Sequence, residues 1–575
     1  MNFFKFLLIF FFNFVLLNAQ EHKIAPKILE KLKNQNTVDV LLYLKQQSNL
    51  SGLNAEWSKE QKGQYVYQQL IQTAQTYQIN IIEKLNRLGL SFKSFYIINA
   101  IHTQLTKEQI IELARMNEIE RILYDENYTV EPTLDHSALQ LQSRGPNVTW
   151  GIQRIGADLV WNLGYEGQGV TVAGEDTGYR WDLPGIKSKY RGWNGTSVDH
   201  NYNWHDGVHK ISPLSSDSLN PCGLSLKEPC DDHGHGSHTM GTMTGRTDDE
   251  WYGIAPKAKW IGCRNMERGN GAPSTYIECF EFFLAPTDLD GNNPKPELAP
   301  HVINNSWYCS KDEGCDTSNF KLMQQVIINL RKAGIVVVVS AGNDGQSCGT
   351  IANPPAMFEE SFVVGSFAIN DTISNFSSIG PVKIDGSNRI KPNVVAPGSD
   401  VVSQVLDGSF QAWNGTSMAG PHVAGLVALI ISANPSLAGK VEVIEDIIEM
   451  TARYQESNTT CDSFQNNAIP NHVYGFGKIQ ADAAVRRAII LKAEDEQKNK
   501  FGLSISPNPA RQNILIKTTK EHQSQILQIF NLLGTLIYEK PIFNETTILD
   551  ISHLIPSAYV IKIKNTNAQL VWIKE

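Results

Sequence analysis

Gly415-Thr416-Ser417-Met418-Ala419-Gly420-Pro421-His422 is the stretch on which the reading of this chain turns. A serine among small residues is followed by Val423, Leu426, Val427, Ile430 and Ile431 at helical spacing, with Gly425 and Ala428 between them. Such a helix has almost no polar face, so it belongs inside a large core, with Ser417 at its N-terminus. There the unpaired backbone N–H groups and the positive end of the helix dipole favour developing negative charge. A serine in that place is ordinarily an N-cap and nothing more. Other segments of the chain argue for a larger role.

Val170-Thr171-Val172-Ala173-Gly174-Glu175-Asp176-Thr177-Gly178 reads as a buried strand that ends in an aspartate and a glycine turn. Asp232-His233-Gly234-His235-Gly236-Ser237-His238 offers histidines among residues small enough for close helix packing. Aspartate, histidine and serine thus occur in the order Asp176, His235, Ser417, which differs from the His-Asp-Ser and Ser-Asp-His orders of two other triad classes. Ile335 to Asp344 is an apolar strand delivering Asn343, whose amide could hydrogen-bond the oxyanion of a tetrahedral intermediate.

Together these blocks resemble the subtilisin family of serine peptidases, over roughly residues 148–490. Lys259 to Met266, Val302 to Trp307 and Phe376 to Pro381 look similar to its bacillopeptidase F-like branch. The resemblance implies that Asp176 orients His235, that His235 is the general base, that Ser417 attacks, and that Asn343 with the Ser417 N–H forms the oxyanion hole. It also implies an extended substrate lying between Ser306-Trp307-Tyr308 and the edge Gly269-Asn270-Gly271. Three positions depart from the family pattern: Ser237 where threonine is usual, Gly420 where alanine often follows, and Tyr308 where glycine is common. Only Tyr308 bears on the shape of a substrate pocket.

Rival readings exist for two of the motifs. His233, His235 and His238 with Asp231 and Asp232 have plausible metal-ligand spacing, but a His235 committed to accepting a proton is not a ligand. The serine octet approximates a nucleophile elbow, yet residues 407–416 are polar and do not run as a strand into Ser417. A subtilisin-fold binding protein that has lost catalysis is the non-enzyme alternative. No cofactor is needed for the chemistry. A structural calcium is possible at the acidic turn Asp288-Leu289-Asp290-Gly291-Asn292, though such a stretch is more often a solvated turn than a site.

The chain has 575 residues, more than one core accommodates. A formal net charge of −9 leaves no basic footprint for nucleic acid. Residues 1–19 carry a lysine, an apolar run and a small residue, the pattern of a secretory signal peptide, with an uncleaved anchor as the alternative. No later segment reads as long and apolar enough to span a bilayer. Eight cysteines fit an exported protein. Roughly a hundred pairings are possible. Nearness in sequence favours Cys222 with Cys230, Cys263 with Cys279 and Cys309 with Cys315, leaving Cys348 with Cys461. Buried free thiols, Cys263 above all, are the alternative.

The expected fold is α/β, a parallel-sheet catalytic domain flanked by two smaller units. Residues 21–130 alternate strand (Val38–Leu44), helix (Lys59–Leu88), strand (Ser94–Ile101), helix from Thr106 with a Thr106/Gln109 capping box, and strand (Arg121–Tyr124). This suggests a ferredoxin-like α+β unit that resembles the inhibitory propeptide of subtilisin-type zymogens; an unrelated accessory domain is the alternative. The charged stretch Asp125–Asn147, chiefly 131–147, reads as an exposed linker. In the catalytic region a helix Asn319–Ala333 is expected, capped by Ser318 and ended by Gly334. Residues 503–575 carry short strands at 514–516, 526–530, 536–538 and 559–563, a small β-sandwich. Its Pro507-Asn508-Pro509 opening and Leu554–Tyr559 stretch resemble the C-terminal sorting domain of the type IX secretion system of Bacteroidetes-like bacteria. The resemblance implies the secretion machinery as a partner, passage through the periplasm and a secreted or surface location. A substrate-binding β-module is the alternative.

Overall fold

A computed structural model describes residues 22–125, 128–129, 147–215, 219–309, 315, 317, 319–461, 468–531, 534–566 and 568–574. The expected signal peptide at 1–19, nearly all of the expected linker and the proposed cap Ser318 lie outside the described residues. The described residues up to Val485 form one compact unit, and those from Arg486 on form a second.

The first unit is built on a seven-stranded sheet. Its strand order is Val394–Pro397, Phe362–Phe367, Val336–Ser340, Val302–Asn305, Thr171–Asp176, Lys259–Arg264 and Trp204–Asp206. Every neighbouring pair is parallel. Runs such as Val336-Val337-Val338-Val339 are buried on both faces because helices cover both, as a parallel sheet requires. The helix Thr416–Ala433 is one of them. Its 18 residues have a hydropathy of 1.5, enough by length and composition to cross a membrane, which corrects the expectation that nothing after residue 19 would. It is 94% buried against the sheet, the alternative fate of a helix apolar on every side. The helix Phe320–Lys332 follows Asn319 and is ended by Gly334 at φ +83°.

Residues 22–125 form a four-stranded antiparallel sheet in the order Phe92–Phe95, Ala100–Thr106, Thr37–Leu44, Ile119–Tyr124. Alternation along Thr37–Leu44 sends Val38, Val40, Leu42 and Leu44 into a core with Ile81, Leu85, Ile110 and Leu113. Leu41 faces the other way. With Phe95, Ile97, Ile98 and Leu123 it shares a core with Tyr276, Phe280 and Phe283 of the helix Pro273–Leu284. The sheet's second face is therefore closed by the larger domain. The capping box forms: the Gln109 N–H donates to Thr106 Oγ1 and the Thr106 N–H to Gln109 Oε1.

Two expected elements are each divided. The segment Ser94–Ile101 is a hairpin whose turn, 96–99, is buried from Ile97 to Asn99, with the Tyr96 and Ile97 N–H groups donating to Glu281 at 2.6 and 2.9 Å. The helix expected over 59–88 breaks into Lys59–Tyr77 and Ile79–Arg87. Between them the buried Gln78 amide donates to Phe95 O and Asn99 Oδ1. Asp125, expected to open an exposed linker, is buried and accepts from the N–H (2.9 Å) and hydroxyl (2.6 Å) of Ser274 at the start of Pro273–Leu284. Asn147 lies in a strand with Val148, paired to Glu250–Trp251, rather than in a linker.

The disulfides are Cys222–Cys230, Cys263–Cys279, Cys309–Cys315 and Cys348–Cys461. The boundary expected at residue 490 falls inside a helix, Ala481–Phe501. Beyond it stand a three-stranded and a four-stranded antiparallel sheet around Ile514, Ile516, Leu527, Ile529, Ile561, Ile563 and Trp572. Thr546–Asp550 and Gln569–Lys574 are strands as well, unanticipated because Ile548, Val571 and Ile573 face outward.

Candidate active site

Parallel strands bring their carboxyl ends to one edge of the sheet, where open α/β sheets place their sites. Asp176 ends the strand Thr171–Asp176, Ser306 follows the central strand Val302–Asn305, and Asn343 follows Val336–Ser340. His235 begins the helix His235–Thr244, whose N-terminus is organised by Asp231. The Asp231 carboxylate accepts from the backbone N–H groups of His233, Gly234 and Ser237 and from the hydroxyls of Ser237 and Thr177. Ser237 thus keeps the hydroxyl that threonine would supply, and Thr177 ties the aspartate strand to the histidine helix. Gly178, at φ +104°, admits no side chain: a Cβ there would lie 1.8 Å from the Cys230 carbonyl oxygen.

Asp176 Oδ1 and His235 Nδ1 are 2.7 Å apart, with the two residues 1% and 3% exposed. The bond places the Nδ1 proton between them and leaves Nε2, which makes no hydrogen bond among the described residues, as the basic position. Burial alone would lower the imidazole pKa. The charge and hydrogen bond of Asp176, then the charge of Asp231, outweigh it and hold His235 above its ordinary value. Ser417 does not bond His235: its hydroxyl donates to the Ser306 carbonyl at 3.1 Å.

The start of the serine helix is held from below. Asn343 Oδ1 accepts from the Thr416 N–H (2.9 Å) and hydroxyl (3.0 Å), so its Nδ2 is left to donate. The Ser417 N–H, in the first turn, has no intrahelical acceptor. Pro421 lacks the N–H that would bond the Ser417 carbonyl, and Ser306 Oγ donates to that carbonyl instead, at 2.8 Å. Ser340 Oγ does the same for Thr416. At Gly420, a Cβ would come within 2.9 Å of Asn304 Oδ1, so Asn304 fills the space an alanine methyl would take.

Thr177, His233, His235, Ser306, Tyr308, Asn343 and Ser417 line one cleft of about 400 Å³, with Met266, Gly269 and Trp307. Its flank, Asn270–Gly271, already carries a visitor: Tyr128–Thr129 pair with it antiparallel, Thr129 opposite Asn270. The edge contributes backbone, since the Asn270 amide is turned inward to the Glu267 carbonyl. Trp307 is 1% exposed and its ring stacks on Tyr276 at 3.8 Å, so its side chain is mostly core. Tyr308, half-buried, is the bulky residue on the cleft wall. Glu267 and Arg268 pair with each other and bind Asn220 and the Leu219 carbonyl.

The remaining motifs take structural parts. His238 stacks on Trp413 at 4.5 Å and its Nε2 lies 3.3 Å from the Gln411 carbonyl. His422 Nδ1 bonds the Met418 carbonyl, and burial pushes its pKa down to about 4. At the acidic turn, Asp288 accepts from the N–H groups of Asp290 and Asn292 and from the Asn293 amide, while Lys227 pairs with Asp290. Among the described residues no group of three histidine, cysteine or carboxylate side chains is gathered there for a metal ion. Glu175 points to the opposite face from Asp176, towards Trp307 and Asn265, and burial followed by the charge of Asp176 lifts its carboxyl well above the usual range.

Residues 167–477 match the subtilase family, and residues 504–574 match the secretion system C-terminal sorting domain. Bacillopeptidase F of Bacillus subtilis (strain 168) is 34% identical over 452 residues, 75% of this chain. The chain spans only 29% of that protein's length. Subtilisin-like protease 3 of Arthroderma benhamiae is 27% identical over 60% of this chain and 74% of its own. Subtilisin-like protease 1 of Arthroderma otae is 30% identical over 49% of this chain and 48% of its own.

Proposed function

The chain belongs to the subtilase family, and on that premise we propose that it is a secreted serine endopeptidase made as a self-processing zymogen. The observation that carries the reading is the 2.7 Å Asp176–His235 hydrogen bond in a cleft shared with Ser417. His235 Nε2 takes the Ser417 proton as Oγ attacks a peptide carbonyl. Asn343 Nδ2 and the Ser417 N–H receive the oxyanion, and His235 returns the proton to the leaving amine. Water then hydrolyses the acyl-enzyme by the same shuttle. Protein substrate lies extended along Asn270–Gly271, where backbone pairing gives broad acceptance and Tyr308 narrows the pocket. A serine-directed fluorophosphonate tests this: the wild-type chain is expected to be labelled and Ser417→Ala not, whereas an unlabelled wild type would leave a subtilase-fold binding protein.

Residues 22–129 act as the chain's own inhibitor in this reading. Support comes from Tyr128–Thr129 on the substrate edge and from the hydrogen bonds of Asp125 and Glu281. Tyr128–Thr129 occupy the edge whose neighbour Gly269 lines the cleft, so the cut is expected after Thr129 and before Asn147. N-terminal sequencing of the secreted product should place its start in that window, while Ser417→Ala, in the absence of other proteases, stays uncut. A product beginning near Gln20 would remove the inhibitory role.

The C-terminal unit is a sorting signal for the type IX secretion machinery of a Bacteroidetes-like host, with the enzyme released or held at the surface. Its separate core supports that reading. Deleting residues 503–575 is expected to leave hydrolysis of a small peptide unchanged and to strand the protein in the periplasm, as cell fractionation would report. Normal export of the truncation would instead mark the unit as a substrate-binding module.

A further inference from the structure

Outside the cleft, three nitrogen groups converge on one buried oxygen. Glu278, on the helix Pro273–Leu284, has a side chain 6% exposed. Its Oε1 lies 2.7 Å from His205 Nε2, 2.9 Å from His209 Nε2, and in contact with the Lys93 ammonium. Only Lys93 comes from the N-terminal domain. His205 is held with its ring stacked on Phe282, and His209 Nδ1 lies 2.8 Å from Ser225 Oγ. In the intact chain the described residues present no group of three histidine, cysteine or carboxylate side chains arranged to take a metal ion. At Glu278 an ammonium stands in that place.

We propose that departure of the N-terminal domain uncovers a binding site for a zinc-like divalent cation formed by His205, His209 and Glu278, with Lys93 holding the cation's place in the precursor. This rests on the reading that the N-terminal domain is removed. Two imidazoles and one carboxylate are a donor set that suits zinc, with water completing the tetrahedron. Ligands about 2.0–2.1 Å from a central ion stand farther apart than hydrogen-bonded atoms, so the imidazoles need to move back by roughly half an ångström. His209, with a side chain 47% exposed, has room to do so. Ser225 supplies the outer hydrogen bond that fixes the ring of a metal-bound histidine. Glu278 gains by the exchange: once Lys93 is gone, its buried carboxylate has lost the ammonium beside it, and a divalent ion restores that positive charge. Cation and N-terminal domain therefore compete for one carboxylate, and the ion opposes re-docking of the released domain.

The test uses the full-length chain carrying Ser417→Ala, with zinc alone as the probe in calorimetry. Adding Lys93→Ala is expected to create one site binding zinc at least about tenfold tighter than Ser417→Ala itself. Adding His209→Ala or Glu278→Gln should abolish that gain. The mature wild-type enzyme, its start fixed by N-terminal sequencing, should bind one zinc and lose it with His209→Ala. No gain on Lys93→Ala together with no His209-dependent zinc on the mature enzyme would overturn the proposal, as would a gain that survives His209→Ala. A retained N-terminal domain with a zinc gain in the Lys93→Ala chain would leave the site standing and remove the processing reading alone.

Discussion

Replacing Ser417 with alanine is expected to lower peptide hydrolysis by about 10⁶-fold, because nucleophile and base act as a unit and losing either loses the chemistry of both. The fold should be spared. Among the described residues the Ser417 hydroxyl donates to the Ser306 carbonyl, while the helix start is held by Asn343, Ser306 and Ser340 through backbone groups that alanine keeps. Asn343→Ala should cost less, roughly 10²–10³ in kcat, since the Ser417 N–H still faces the oxyanion. Steady-state kinetics on a peptide substrate separate the two. Activity surviving Ser417→Ala, or equal losses in both variants, would remove Ser417 from the role of nucleophile.

Asp176→Asn is the second large effect, a fall of about 10⁴ at neutral pH. An amide at this position can present N–H to His235 Nδ1 and favour the tautomer whose proton sits on Nε2, where the base must be free. The pH profile carries the sign. His235 must be neutral to accept a proton, so activity rises with pH through its pKa, which Asp176 holds above the ordinary value of 6.5 against the effect of burial. With the charge gone, burial prevails, and the acid limb of kcat/KM should move to lower pH. An unchanged limb, or one moved upward, would mean that Asp176 is not what sustains the His235 pKa.

Much of this arrangement was legible because it is local. Asp176, Asn343 and Ser417 each sit at the junction of an apolar run and a small-residue turn, and three of the four disulfides close short loops. The Thr106 capping box spans three residues and is readable as letters. What escaped reading depends on partners far off in sequence. Asp231 looked like a metal-ligand candidate, although its position just before the histidine helix is also that of a capping residue. The break at Gln78 and the turn at 96–99 arise because their polar groups find Asn99 and Glu281, and a buried turn in an apolar stretch looks like strand. Asp125 reads as linker until Ser274, 149 residues on, is placed beside it. Lys93 and Glu278 carry no mutual signal at all.

The two-residue ladder between Tyr128–Thr129 and Asn270–Gly271 has a further implication. Backbone hydrogen bonds carry no side-chain information, but an antiparallel ladder and a parallel one space their donors and acceptors differently. A chain laid on this edge is therefore sorted by heading before any of its residues is recognised. Reversed, the same letters would meet donors and acceptors out of step, and the carbonyl would turn a different face to Asn343. Polarity is the first thing such an edge discriminates, and it does so without needing to know the spelling of what it holds.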